Sequence, residues 1–157
     1  MKIAIIGVGN KLMGDEGIGV HAIEYFRNTP SPLPLSHKGR GNKVKVDLVD
    51  GGTIGIALLH LFEKYERVIL IDAADFGGRP GDIKIFELDN INLPPDTEQI
   101  SLHGTSLADV LALALKLGNK LPKITIIAVQ PEKITHSMEL SDKCKKAIPK
   151  IAKAIIV

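Results

Sequence analysis

The sequence has a single cysteine, little excess charge and no long apolar run, and each of these absences excludes a class of protein. One cysteine, Cys144, cannot form a disulfide framework within a chain and fits a reducing cytoplasm. A net charge of +2 over 157 residues predicts no surface for nucleic acid or membrane. No run approaches the roughly 18 apolar residues of a membrane span, and the first strand is too short for a signal peptide. We therefore expect a soluble cytoplasmic monomer.

Several common catalytic motifs are also missing. The sequence contains no His-Glu-x-x-His helix, no Gly-x-Ser-x-Gly elbow and no phosphate-loop lysine motif. It has no cysteine pair for zinc or an iron–sulfur cluster. A hydrolase with this sequence is therefore not a serine or cysteine enzyme of a common type.

The composition predicts one globular domain over residues 1–157. Apolar residues make up 45% of the chain, which is enough for a core in a domain of this length. Residues 29–42 interrupt the pattern with three prolines and two glycines among polar residues. We expect this segment to be a disordered surface insertion.

The strand pattern predicts a three-layer αβα fold, in which a doubly wound, mostly parallel five-stranded sheet has one antiparallel strand. Continuous apolar runs at Ile3–Ile6, Val68–Ile71 and Ile124–Val129 are typical of parallel strands covered on both faces. Val44–Val49 alternates and is predicted nearer an edge. Asp82–Leu88 follows a turn too short for a crossover helix, so it should run antiparallel to Val68–Ile71 or to a strand beside it.

Amphipathic segments fill the gaps between these strands. Helices are predicted at Ile18–Arg27, at Ile54–Tyr65 with Thr53 as N-cap, at Leu107–Leu117, and after Ser141. The second should bury Ile54, Ala57, Leu58 and Leu61. The last should bury Cys144, Ile148, Ile151 and Ile155, and should expose Lys143, Lys146, Lys150 and Lys153.

The first strand leads into a glycine-rich turn that carries two acids at its tip, Asp15 and Glu16. Three interpretations are open. A dinucleotide loop is disfavoured because Leu12 stands where its third glycine should be, and because two carboxylates would face the phosphates. Carboxylates in a crevice suit a metal cation. The acids could equally complement the dipole of the following helix.

Ligands in this fold bind beyond the carboxyl ends of the strands, where acids and one histidine gather. His103 precedes a helix N-terminus, which disfavours imidazolium and so favours the neutral ring that a metal needs. A loop histidine taken alone is more often structural, and His136 could approach the same edge. The polar residues at these strand ends are Asn10, Asp15, Glu16, Asp50, Asp72, Asp75, His103 and Glu132.

Six motifs in order resemble the maturation endopeptidases of nickel–iron hydrogenases over nearly the whole chain outside 29–42. They are Gly7-Val8-Gly9-Asn10, Asp15-Glu16-Gly17-x-Gly19, Asp50-Gly51-Gly52-Thr53, Asp72-Ala73, Pro80-Gly81 and His103-Gly104-x-Ser106-Leu107. Each motif alone is weakly specific, but the combination and its spacing are specific.

The resemblance implies an endopeptidase that removes the C-terminal extension of a hydrogenase large-subunit precursor after nickel insertion. It implies that Glu16, Asp72 and His103 are the catalytic, metal-contacting residues, and that the precursor supplies the nickel. The target-recognition loop would be Asp50-Gly51-Gly52-Thr53, whose glycines let the backbone approach the partner closely. Whether a carboxylate also acts as general base is open.

Two further interpretations are kept. The alternative function is a non-catalytic nucleotide- or metal-binding module on a Rossmann-like scaffold. The second concerns Ile56 and Leu59, which lie off the predicted core stripe of their helix. Burial on the sheet is the simpler account of these side chains, and docking of the large subunit is the other.

Overall fold

The computed structural model of the chain describes residues 1–30, 44–88, 101–102 and 105–155. Within these ranges, the side chains of 101–102 and 105–108 are not described. The predicted insertion at 29–42 therefore lies, from residue 31 onward, outside the described residues. The same holds for His103, the histidine expected to contact metal.

The sheet has the predicted five strands in the order β2-β1-β3-β7-β4. The first three pair in parallel with their neighbours, as does β7 with β3, whereas β4 runs antiparallel to β7. A short antiparallel pair, β5 with β6, was not predicted. The bounds are β1 Lys2–Val8, β2 Lys45–Gly52, β3 Arg67–Ala73, β4 Ile83–Leu88, β5 Ser101–Leu102, β6 Thr105–Ser106 and β7 Lys123–Val129.

Helices cover both faces of the sheet, which confirms the three-layer prediction. They are α1 Ile18–Asn28, α2 Leu58–Phe62, α3 Leu107–Lys116 and α4 Asp142–Ala154. One apolar cluster joins α1 and α4 to the sheet, and a second joins α2 and α3 to the opposite face. Within the described ranges, no helix has both the length and the apolar character needed to cross a membrane.

The second helix differs from its prediction. A 3-10 turn at Gly55–Ala57 precedes α2, and neither segment begins with a side-chain cap, so the prediction of Thr53 as N-cap is wrong. Gly55 has φ +43°, which a regular helix starting at Ile54 would not accommodate. The helix buries Leu58 as predicted, but Ala57 is exposed and Phe62 is buried instead.

The last helix agrees with its prediction in detail. The Ser141 hydroxyl accepts the Cys144 N–H at 3.3 Å, which is the expected N-cap bond. Its apolar stripe, Cys144, Ile148, Ile151 and Ile155, is buried in the core. The four predicted lysines are exposed, so the basic stripe is a solvated face.

Candidate functional site

The carboxyl ends of β1 and β3 form the topological switch point of the sheet. After β1 the chain turns towards β2 through α1 on one face, and after β3 it reaches β7 through α3 on the other face. Open α/β sheets leave a crevice at such a point, because neighbouring connections diverge. Glu16 follows β1 and Asp72 ends β3, so both predicted carboxylates belong to this crevice.

Asp72 is a buried carboxyl with one unsatisfied oxygen. Its side chain is 3% exposed. Oδ1 accepts the Ala73 N–H at 2.8 Å, whereas the buried Oδ2 has no hydrogen-bond partner among the described residues. Burial raises the pKa of Asp72 well above its usual value, and the charge of Glu16 raises it further. Among the described residues, the Ala73 N–H is therefore the one group that stabilises the charge of this carboxyl, and it does not outweigh burial.

Glu16 lies on a 3-10 turn, Gly14–Gly17, that packs against β3. Its side chain is partly buried and near enough to act electrostatically on Asp72. The structure thus brings together two of the three predicted metal-contacting residues. Over the ranges that the structure describes, no group of three or more His, Cys, Asp and Glu side chains could hold a metal ion. The third predicted residue, His103, lies outside those ranges.

The strands on either side of residues 103–104 form a separate two-stranded sheet, in which Leu102 of β5 pairs with Thr105 of β6. The β6 strand contacts the 3-10 turn Gly55–Ala57, which follows the carboxyl end of β2. This contact places β6 near the edge of the five-stranded sheet at which β1 and β3 also end.

The predicted recognition loop lies beside the turn that carries Glu16. The Gly9 N–H donates to the Gly52 carbonyl at 2.8 Å, which ties the ends of β1 and β2 together. The Asp50 carboxylate accepts the Gly52 N–H at 3.0 Å and shapes the loop locally. Gly51 packs so closely on the Ile6 side chain that a Cβ would come within 2.9 Å of it. Thr53 is exposed.

The glycines of the first turn allow the chain to approach itself. Gly9 has φ +128°, and a Cβ on it would overlap the carbonyl oxygen of Glu16. A Cβ on Gly7 would likewise overlap the carbonyl oxygen of Gly19. Packing of backbone on backbone accounts for these glycines, which removes the main sequence argument for a dinucleotide loop.

Asp15 is not at the tip of the turn, as the sequence suggested, but is fully buried. Its Oδ1 accepts the Ser141 N–H at 2.7 Å, and its Oδ2 accepts the Ser141 hydroxyl at 2.8 Å. The N–H groups of Glu132 and Lys133 also donate to Oδ2, at 2.9 and 3.0 Å. Burial acts to raise its pKa, but these bonds outweigh burial and hold the pKa of Asp15 below its usual value. Both oxygens of the Asp15 carboxylate are therefore bonded to its own chain.

A second polar anchor is Gln130, which was expected at the end of a strand but whose role the sequence did not predict. Its buried amide oxygen accepts the N–H groups of Phe76 and Gly78, at 2.9 and 3.1 Å. The amide nitrogen donates to Asp75 Oδ1 at 3.1 Å. Gln130 thereby fixes the loop after β3, and its only sequence signal is its position directly after a buried strand. His136, the other candidate histidine, is exposed in the loop that follows.

Comparison with known proteins identifies relatives of one kind. A family model described as hydrogenase maturation protease matches residues 35–157. The hydrogenase expression/formation protein HupD of Rhizobium leguminosarum bv. viciae is 35% identical over 130 residues, which are 83% of this chain and 59% of that protein. This chain thus spans about three-fifths of the length of the curated relatives that match it first.

A curated sequence and a solved structure from Escherichia coli match over more of both chains. The hydrogenase 2 maturation protease of strain K12 is 33% identical over 143 residues, 90% of this chain and 80% of that protein. The structure of the hydrogenase maturating endopeptidase HybD is similar with a TM-score of 0.72 and 27% identity, covering 98% of this chain and 89% of that one. The five-stranded mixed sheet described above agrees with that fold.

Proposed function

This chain belongs to the hydrogenase maturation protease family, and from that premise we propose that it is a nickel-dependent endopeptidase. Its substrate is the large-subunit precursor of a nickel–iron hydrogenase. It removes the C-terminal extension of this precursor after nickel has been inserted. The nickel is carried by the precursor and is part of the substrate, and Glu16, Asp72 and His103 contact it.

The observation that carries the proposal is the Asp72 Oδ2 near Glu16, which no described residue hydrogen-bonds. An unpaired buried polar atom costs about 1–3 kcal/mol, and two nearby carboxylates repel each other. Both costs are offset when a divalent cation lies between the two side chains. Two carboxylate oxygens and an imidazole nitrogen form a donor set that suits nickel and leaves positions for the precursor's own ligands.

The same arrangement makes binding of the precursor depend on whether it carries nickel. Without a cation, burial and Glu16 both raise the pKa of Asp72, so its ionised form is disfavoured relative to a carboxylate in water. A precursor that presents nickel favours the carboxylate, since a cation reverses the local electrostatics. The enzyme therefore gains binding free energy from nickel-loaded precursor that nickel-free precursor does not supply.

Glu16, Asp72 and His103 would hold the precursor's nickel at the crevice during hydrolysis. Held there, the metal would act as a template for the scissile peptide and would either polarise the peptide carbonyl or activate a water. The recognition loop at Asp50–Thr53 binds the precursor beside the metal. Its glycines permit close backbone approach, and the Gly9–Gly52 hydrogen bond holds the loop against the turn of Glu16.

A processing assay with purified proteins tests this proposal. Wild-type enzyme is incubated with nickel-loaded and with nickel-free precursor, and the released extension is measured by mass spectrometry. We expect trimming of the loaded precursor only. Glu16→Gln, Asp72→Asn and His103→Ala should each lower the rate by about 100-fold or more, since each removes a metal contact.

Glu66→Gln is the matched control. Glu66 directly precedes β3 at the opposite end of that strand from Asp72, and its side chain is 68% exposed. The Glu66→Gln variant should process nickel-loaded precursor at the wild-type rate. Wild-type rates from Glu16→Gln and Asp72→Asn, or equal trimming of nickel-free precursor, would show that the assignment is wrong.

A further inference from the structure

The buried Asp15 carboxylate joins two segments that are far apart in the sequence. One is the 3-10 turn Gly14–Gly17, which carries Glu16. The other is the segment between β7 and α4, residues 131–141, called here the distal loop. The carboxylate accepts hydrogen bonds from three backbone N–H groups of the distal loop and from one hydroxyl, donated by Glu132, Lys133 and Ser141.

Backbone pairing extends this junction. Asp15 N–H donates to the Lys133 carbonyl at 3.2 Å, and Gly14 N–H donates to the Ser137 carbonyl at 2.7 Å. Ser137 N–H returns a bond to the Leu12 carbonyl at 3.0 Å. The turn is therefore bonded along its outer side to the distal loop by main-chain groups, with the Asp15 carboxylate at the centre.

Apart from these hydrogen bonds, the distal loop has few contacts with the apolar core. Residues 132–136 are all exposed, and Leu140 is the only residue of this loop in the apolar core. An ion pair between Lys143 and Glu132 at 2.7 Å is on the surface and contributes little. Charge-assisted hydrogen bonds are roughly twice as strong as neutral ones, so the Asp15 carboxylate holds this loop strongly, together with the main-chain bonds.

On its inner side the same turn is closed against β1. The carbonyl oxygen of Glu16 occupies the space where a Cβ of Gly9 would stand. A Cβ on Gly17 would come within 2.8 Å of the Lys11 Cα. The backbone of Glu16 is thus confined between the end of β1 and the distal loop. Asp15, the residue directly before Glu16, makes the contact with the distal loop.

We propose that Asp15 is a positioning residue, whose hydrogen bonds to the distal loop hold the Glu16 turn in the geometry that contacts nickel. The proposal deepens the proposed function and requires it. Ser141 supports the same positioning, since its hydroxyl donates to Asp15 and at the same time accepts the N–H of Cys144. Such supporting contacts fix the orientation of metal-contacting side chains.

The test compares Asp15→Asn, Ser141→Ala and Ser141→Thr with wild type on nickel-loaded precursor. An amide nitrogen in place of a carboxylate oxygen faces N–H donors, so Asp15→Asn should lower kcat by about 10- to 100-fold. KM should change by a smaller factor than kcat, because the recognition loop still binds the precursor while part of the nickel contact is lost. Ser141→Ala should give a smaller loss of kcat, and Ser141→Thr, which keeps the hydroxyl, should restore it.

Two controls separate positioning from loss of stability. Ile151→Val weakens the same helix α4 in the core, remote from Asp15 in sequence, and should keep the wild-type kcat at a temperature where every variant is folded by circular dichroism. Hydrogen exchange of the 131–141 amides reports whether Asp15→Asn releases the loop. Faster exchange with an unchanged kcat would mean that Asp15 only stabilises the fold, and would overturn the proposal.

The outcomes also separate this proposal from the proposed function. If Glu16→Gln processes at the wild-type rate, the role of Glu16 is wrong and positioning by Asp15 falls with it. If Glu16→Gln is inactive while folded Asp15→Asn keeps the wild-type kcat, only the positioning role is wrong. Should Asp15→Asn fail to fold, the Ser141 pair decides, and equal kcat values for Ser141→Ala and Ser141→Thr would overturn the proposal.

Discussion

The carboxylate of Glu16 lies near enough to that of Asp72 to raise its pKa, although the first follows β1 and the second ends β3. Burial and the neighbouring charge of Glu16 both disfavour the ionised form of Asp72, which opposes the stability of the fold. Such an arrangement is typical of a functional site, where a bound group supplies the missing charge. The loss of folding stability that these two acids cause, without any bound group, can be measured.

Asp72→Asn should stabilise the protein near neutral pH while it abolishes processing. A raised folded-state pKa contributes stability below the unfolded value of about 3.9, and that contribution is lost as pH rises through the folded value. Asn cannot ionise, so the advantage of the variant should grow from about pH 4 upward. Each kcal/mol corresponds to about 2–4 °C in Tm for a domain of this size.

Differential scanning calorimetry at several pH values measures this difference. Asp142→Asn is the control, because Asp142 is exposed in the first turn of α4. Its Tm should follow that of wild type across the range. A Tm of Asp72→Asn below that of wild type at pH 7 would contradict the prediction.

Asp15 should have the opposite pH dependence. Its folded-state pKa is lowered, so it contributes stability above the unfolded value of about 3.9, and this is lost as pH falls through the folded value. Asp15→Asn should therefore be less stable than wild type at pH 7, on the order of 3 kcal/mol for the lost charge-assisted bonds. Urea unfolding from pH 7 down to pH 3 should show the gap narrowing, and a constant gap would mean that the charge of Asp15 is unimportant.

Much of the fold was predictable because the apolar pattern of each strand indicates whether it is buried on both faces or lies at an edge. The run Val68–Ile71 is apolar on both sides and became a central strand, while Val44–Val49 alternates and became an edge strand. The second helix was predicted too long because its apolar spacing is helical. Pattern alone does not reveal that Gly55 takes a positive φ and interrupts the segment.

The site was predictable only in part, for a related reason. Glu16 and Asp72 follow strand ends, and parallel strands bring those ends together. Asp15 and Glu16 are adjacent and chemically alike, and only the 3-10 turn directs one towards the distal loop and the other towards Asp72. The partners of Asp15 lie beyond residue 130, and no local pattern announces a hydrogen bond over that separation.

Cys144 should be unreactive in the native protein. It is buried on the apolar stripe of α4, and burial raises the pKa of its thiol to about 11. Because the thiolate is the reactive form, alkylation by iodoacetamide at pH 8 should be very slow without denaturant and fast in urea. Intact-mass measurement over time tests this, and rapid native alkylation would contradict the packing of α4 described above.

Ile56 offers a test of large-subunit docking near the recognition loop. Its side chain is 57% exposed after β2, whereas Leu59 packs partly against the core and is a poor choice for mutation. If the large-subunit precursor binds to the surface around Ile56, Ile56→Asp should weaken that binding about tenfold or more, since a charge replaces an apolar contact. Ile85→Asp, at a side chain 50% exposed on the edge strand β4, is the control. Equal dissociation constants for the two variants in biolayer interferometry would show that Ile56 is exposed to solvent and does not contact the precursor.

Gly9→Ala should cost both stability and activity, and Gly55→Ala much less of each. Both glycines have positive φ, +128° and +43°. At Gly55 a Cβ meets no described atom within 4 Å, so the substitution adds only the strain of the left-handed region, about 1 kcal/mol. At Gly9 the Cβ overlaps the Glu16 carbonyl, and the turn must move outward to admit it. The denaturant midpoint and the kcat for loaded precursor should therefore both fall in Gly9→Ala. A folded Gly9→Ala with the kcat of Gly55→Ala would show that the position of the Glu16 backbone does not govern processing.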